Sequence, residues 1–236
     1  MLAAGAHGDV AYMLTGYVAG EDLHREFTTL GLGSQCSLAN WFGRALARLH
    51  EAFSFDGYGQ LRLSDGGFTA HASDWEAWFR EYATHAVDRL PTAFDPVRNE
   101  LNALFTDFSA EPNTPSRLFP WDFRPGNALV DDGSVTAVVD WEAPLAAPPA
   151  LSVAKSAYLV ADWYVDDPEP LRTAFRDGYS DIRAWPTIRP AHRAAAIVES
   201  AVDSTGTVTN PHYPPLDRNE ATAFHLNALE AVIDNA

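Results

Sequence analysis

Three oxygen-bearing side chains stand at spacings that local chain geometry can bring together. Asp122 is followed, after four residues, by Asn127, and Asp140 lies near the end of the same segment, Phe119 to Glu142 (FPWDFRPGNALVDDGSVTAVVDWE). Between Asn127 and Asp140 run two short apolar stretches, Ala128 to Val130 and Val135 to Val139, around the turn Asp131-Asp132-Gly133. Two such runs about an Asp-Gly read as a β-hairpin. The hairpin would set Asn127, just before its first strand, beside Asp140, just after its second, with Asp122 on the loop leading in. An amide and a carboxylate beside phosphates suit Mg²⁺, which takes hard oxygen ligands and keeps several of its waters. A further carboxylate outside the metal shell can orient an acceptor hydroxyl and take its proton. The chemistry this set fits is phosphoryl transfer. Asp-x4-Asn alone carries no information, because 20 Asp and 9 Asn in 236 residues give about one such pair by chance. The plain alternative is an ordinary hairpin whose Asp and Asn residues cap turns.

The information lies in Arg124-Pro125-Gly126-Asn127, the hairpin and Asp140-Trp141-Glu142 taken together. This combination resembles the catalytic and metal-binding loops of the aminoglycoside phosphotransferase / choline kinase-like family, whose fold is related to protein kinases. That family runs His-Gly-Asp, four residues, Asn, then a hairpin ending in Ile-Asp-Trp-Glu or similar. The resemblance implies that Asp122 is the catalytic base and that Asn127 and Asp140 are Mg²⁺ ligands. It implies ATP as co-substrate and a small-molecule hydroxyl as acceptor. Where the family has His-Gly before the Asp, this chain has Pro120-Trp121, so a bulky side chain replaces a glycine next to the catalytic position.

Stepping outward, the elements that must hold this segment are mostly helices. Leu38, Trp41, Phe42, Ala45, Leu46 and Leu49 form one apolar face at helical spacing, with Ser37 as the expected N-cap. The ending Leu46-Ala47-Arg48-Leu49-His50 resembles the family's Leu-x-x-Leu-His, and His50 is expected to pack at the helix end. Residues 54–72 read as a Gly- and Asp-rich loop with a short hairpin. Ser73-Asp74-Trp75-Glu76 has capping-box spacing and opens a helix with an aromatic stripe, read as core. Asp95-Pro96 opens another, and Pro148 to Val165 reads as a buried helix. That helix resembles the family's Gly-Asp-Pro-x-x-Asp-Leu-Ala, with Ser152 where the bracing second Asp would stand. A hydroxyl cannot supply the charge-assisted bond that a carboxylate does. Further helices are expected from Asp167-Pro168, Pro190 and Asp217. Asp9 to Val18 reads as a buried strand and an extended segment. By resemblance it is the last strand of the small ATP-binding lobe and the hinge, with backbone groups of Gly16, Tyr17 and Val18 on the adenine edge. The plain alternative there is an edge strand.

The expected fold class is therefore α+β, mainly α: the helical large lobe of a protein-kinase-like fold with a catalytic β-hairpin. Residues 1–18 would be the remnant of the small lobe and hinge, and 19–236 the large lobe. The family's Gly-rich loop, strand lysine and helix glutamate all precede the hinge, and too few residues precede it here to supply them. The sole lysine, Lys155, lies after the metal loop and cannot stand in for the strand lysine. A truncated product, a mis-called start or a one-lobed descendant would each look this way.

Composition narrows the partners. The formal charge is −16, from 32 acidic against 16 basic residues, and 15 of the basic residues are Arg. With Asp in excess of Glu, this reads as adaptation to high salt, where counter-ions screen self-repulsion. An acidic protein from a high-GC genome is the other reading. Nothing in such a composition neutralises nucleic-acid phosphates, so no nucleic-acid partner is expected. No apolar run is long enough to span a bilayer and the N-terminus lacks a positive n-region, so no membrane association and a cytoplasmic location are expected. The single cysteine, Cys36, excludes an intrachain disulfide. Two further functional classes stay open: a pseudokinase-like small-molecule-binding module without transfer, and a structural or assembly protein with an apolar patch around residues 1–18.

Overall fold

Apolar spacing along the helices and two small sheets between them decide the architecture. The computed structural model describes residues 2–64 and 67–236. In chain order, a hairpin of β1 (Ala3–His7) and β2 (Val10–Leu14) precedes β3 (Glu21–Asp22), the one-turn helix α1 (Leu23–Glu26) and the long helix α2 (Leu32–Ala52). Short strands β4 (Ser54–Phe55), β5 (Gly59–Gln60), β6 (Arg62–Ser64) and β7 (Gly67–Thr69) lead to α3 (Trp75–Arg89) and α4 (Asp95–Thr106). The central segment carries β8 (Ser116–Phe119), β9 (Ala128–Asp131), β10 (Ser134–Val138) and β11 (Leu145–Ala147). Then come α5 (Pro149–Ala157), continued by a π-helical turn through Asp162, and α6 (Glu169–Ser180), α7 (Pro190–Ala201) and α8 (Arg218–Ile233). The fold is α+β and mainly helical, as expected.

Helix α2 is the spine. Its apolar face buries Leu38, Phe42 and Leu46, and its most extensive packing is against α6. The two helices approach closely because each has a glycine at the crossing. A Cβ on Gly43 would lie 2.1 Å from the Phe175 carbonyl oxygen, and one on Gly178 would lie 2.1 Å from that of Asn40. Behind this pair, the aromatic stripe of α3 is core, with Trp75 and Phe79 buried.

Several local expectations shift. Helix α2 starts at Leu32 with Gly31 as its N-cap, not at Ser37; the Ser37 hydroxyl instead donates to the Gly33 carbonyl one turn back, at 2.9 Å. The capping box at Ser73 does not form. Asp74 is the N-cap and accepts from the Ala77 N–H at 3.2 Å, while Glu76 is engaged by the Ala110 N–H and by Arg80. The segment from Asp9 is a strand but not a buried one. Among the described residues it pairs with β1 alone, and it leaves Val10 and Met13 68% and 69% exposed.

Two sheets frame the central segment. Strand order β4-β8-β11-β5 makes one, and β10-β9-β3 the other. Asp132 (φ 46°) and Gly133 (φ 73°) close the β9–β10 hairpin with two left-handed residues, the signature of a type I′ turn. The ladder slips between Val135 and Ala137, so Thr136 is an extra, bulged residue. Its hydroxyl donates to the Ala19 carbonyl at 2.9 Å, which ties the segment after the first hairpin to the second.

Candidate active site

Strand β8 ends at the fully buried Phe119, and the chain then turns sharply. The Asp122 N–H donates to the Pro120 carbonyl at 2.8 Å around Trp121, whose φ is +57°. This is a γ-turn of the rare left-handed kind. Immediately after it, the buried Phe123 packs edge-on against Phe42 of α2, ring centroids 5.1 Å apart. The loop is thus pinned on both sides of Asp122, whose side chain stays half-buried.

Both carboxylate oxygens of Asp122 have partners. Arg124 Nε donates to Oδ1 at 2.8 Å, and Asn127 Nδ2 donates to Oδ2 at 2.9 Å and to the Asp122 carbonyl at 2.9 Å. Burial opposes the Arg124 charge, but the neighbouring Asp122 carboxylate and Tyr164 outweigh it and hold its pKa above the usual guanidinium range. The Asn127 carbonyl accepts from the Val139 N–H at 2.8 Å, one step beyond the Ala128–Val138 pair. Asp140 follows directly, exposed and left-handed (φ 64°), a conformation Asp tolerates. The hairpin therefore does bring the chain at Asn127 and at Asp140 to one end, with Asp122 hydrogen-bonded to Asn127. With the Asn127 amide nitrogen committed to Asp122, its side-chain oxygen and the open Asp140 carboxylate are the hard donors left, the type a divalent cation takes. Trp141 lies alongside, its indole N–H on the Val138 carbonyl at 2.9 Å.

Gly16, Tyr17 and Val18 form the irregular link between β2 and β3, and Tyr17 is 93% exposed. Among the described residues no hydrogen bond joins them to Asp122, Asn127 or Asp140. Their link to the site is through Ala19 and the edge strand β3, which pairs with β9 at Glu21–Val130 and Asp22–Leu129.

Other groups around the loop escape the sequence reading. Lys155, set aside on sequence, lies under the loop with its ammonium 3.6 Å from the centroid of the Trp121 ring. Tyr82 accepts from the Trp121 indole N–H at 3.3 Å. Asp-x-Arg was a local signal for Arg124; a lone lysine in an otherwise apolar helix was the only signal for Lys155. Among the described residues, the Ser152 hydroxyl makes no hydrogen bond to the loop at Asp122, which the resemblance had a bracing Asp support. It meets His50 Nε2 at 3.1 Å, while His50 Nδ1 meets the Tyr179 hydroxyl at 2.8 Å. His50 is fully buried, as a packing residue should be, and burial lowers its pKa to about 3.

Residues 2–191 match the family model described as the phosphotransferase enzyme family. The chain belongs to that family. Among solved structures, an aminoglycoside phosphotransferase APH(4)-Ia superposes with TM-score 0.60 at 16% identity, covering 93% of this chain and 70% of that one. A thermostable mutant of the same enzyme, in ternary complex with AMP-PNP and hygromycin B, gives 0.56 at 16% identity, covering 92% and 70%. A glucosamine kinase gives 0.53 at 20% identity, covering 96% of this chain and 61% of that one. No curated protein matches the sequence. This phosphotransferase-family chain has a protein-kinase-like fold, and among its described residues no helix is long and apolar enough to cross a membrane.

Proposed function

We propose that this chain carries the catalytic and metal-binding large lobe of a kinase that transfers the γ-phosphoryl of ATP to a small-molecule hydroxyl. Residues 1–18 act as strand and hinge, with Gly16 to Val18 along the nucleotide base, and 19–236 form the large lobe. The observation that carries the reading is the Asp122–Asn127 hydrogen bond at the end of a hairpin whose second strand runs directly into Asp140. Asn127 and Asp140 would hold Mg²⁺, which when bound neutralises charge on the phosphates. Asp122 orients the acceptor hydroxyl and takes its proton. Arg124 holds that carboxylate in place and keeps a cation beside it. Solved neighbours bound to AMP-PNP, ADP, hygromycin B or glucosamine support nucleotide plus a polyhydroxylated amine as the ligand classes to try.

The test is ADP formation from Mg²⁺-ATP over a panel of hydroxylated amines, comparing wild type with Asp122→Asn. Loss of about 10²–10⁴-fold in kcat is expected, the usual contribution of a positioned general base. Turnover unchanged in the variant would overturn the assignment. A second reading, binding without transfer, is favoured by the strained turn at Trp121 and by the partners on both Asp122 oxygens. It predicts saturable Mg²⁺-nucleotide binding in calorimetry with no ADP formed on any acceptor.

A further inference from the structure

Trp121 sits where a residue with a side chain is strained, and it is held there by the helical body. Left-handed backbone is a genuine outlier for a bulky residue. Two contacts oppose the relaxation. The indole N–H donates to Tyr82 of α3, and that tyrosine ring stacks on Trp78 at 4.8 Å. On the ring face stands the Lys155 ammonium of α5, with Lys155 only 2% exposed.

The charges around Lys155 come from every element packed on it. Glu199 of α7 lies close, its carbonyl 3.4 Å from the ammonium, but its carboxylate is bound by Arg89 of α3 at 2.8 Å. Asp122 faces it from the loop, but that carboxylate is bound by Arg124 at 2.8 Å. Each acid already has its own arginine, so among the described residues Lys155 is left without a carboxylate of its own, and its near neighbours are the Glu199 carbonyl at 3.4 Å and the Trp121 ring at 3.6 Å. Burial pulls its pKa down to about 8, against Glu199 and Asp122, which pull upward. A buried cation without its own carboxylate is a poor way to add stability. Its placement makes sense if it serves the loop.

We propose that Lys155 is a positioning residue: its ammonium grips the Trp121 ring and, through the Trp121 turn, fixes where the Asp122 carboxylate points. The inference rests on Asp122 being the base of the proposed reaction.

The variants are Lys155→Met, similar in length and uncharged, and Lys155→Arg, a cation that also stacks on aromatic faces. In Lys155→Met the thermal midpoint should hold or rise by about 2–4 °C, because a buried charge is removed. Its kcat should fall by about 100-fold, the scale of a small misplacement of a reacting group, with KM little changed, and Lys155→Arg should recover most of it. Two NMR readouts need no turnover. In Lys155→Met the Trp121 indole N–H resonance, assigned with Trp121→Phe, and the Asp122 carboxyl carbon resonance at fixed pH should both move. A wild-type chain that transfers no phosphoryl group, yet shows both NMR changes on Lys155→Met, supports the positioning role and counts against the proposed function alone. Unchanged indole and carboxyl signals would overturn the positioning role whatever the activity, and so would a midpoint that drops together with kcat.

Discussion

β1–β2 and β9–β10 are both antiparallel hairpins with two-residue turns that use left-handed glycine, Gly8 at φ 60° and Gly133 at φ 73°. Their surroundings differ completely. Every residue of β1 and β2 is exposed, with Tyr12 lying over Gly5 across the strands. β9 buries Ala128 and Val130, has β3 on its outer edge and passes its last pair on to Asn127 and Val139. A lone two-stranded hairpin is marginal in water. The ladder is common to both; the covered face is what ties the second hairpin, with Asn127 and Asp140 at its end, into the body of the fold.

The largest expected break between the two regions comes with acid. His50, His192 and His225 are buried in the body, where desolvation lowers their pKa values to about 3, about 3 and about 4. Each is below the unfolded value of about 6.5, so the unfolded chain binds more protons and stability falls as pH drops below about 6.5. At pH 5 each histidine costs about 2 kcal/mol relative to pH 7, about 6 kcal/mol together, comparable with the whole stability of many domains. Amide exchange between pH 7 and 5 should show β9 protection collapsing with the helices, while β1 and β2 exchange fast throughout. Protection in β9 that is flat across this range would refute the coupling.

Next in size is a charge placed on each hairpin. Val130→Asp buries an unpaired carboxylate and should cost about 3 kcal/mol or more in urea unfolding. Val10→Asp, on an open strand, should stay within about 0.5 kcal/mol. The smallest effect is in the turns. Gly133→Ala forces a side chain into left-handed backbone, costing about 1–2 kcal/mol, and should lower the thermal midpoint by about 2–8 °C. Gly8→Ala carries the same local cost but should leave the global midpoint unmoved, because that hairpin is energetically separate. Equal shifts from the two glycines would erase the distinction.

What the sequence made legible follows the range of the signals. The β9–β10 hairpin, its Asp132-Gly133 turn and the gathering of Asp122 with Asn127 are local, written within one segment. Helices α4, α7 and α8 announce themselves by proline at the first turn or, at Asp217, by a capping box that does form. The start of α2 was hidden because Gly31 caps without a side chain, leaving no residue type to read. β4, β5 and β11 are two or three residues long, too short for any periodicity. Apolar residues in β2 predicted burial because spacing reports which face is greasy, not whether anything covers it. Lys155 under Trp121 was out of reach for a different reason: the contact joins α5 to a loop distant in sequence, and only the assembled core defines it.

The bulge at Thr136 works as a phase element. Strand side chains alternate with a period of two, so an extra residue must be absorbed locally if the residues after it are to share their partners' faces, as Ala137 and Val138 do. Deleting Thr136 would make the β9–β10 ladder more regular, and a fold-stability assay alone could score that as an improvement. The same deletion would leave the Ala137–Leu129 and Val138–Ala128 pairs, and so Asp140, in step with Asn127, but it would remove the hydroxyl that holds Ala19. In length variants of this hairpin, the hold on the link at Ala19 should therefore follow Thr136, while the pairing that ends at Asn127 and Val139 should not.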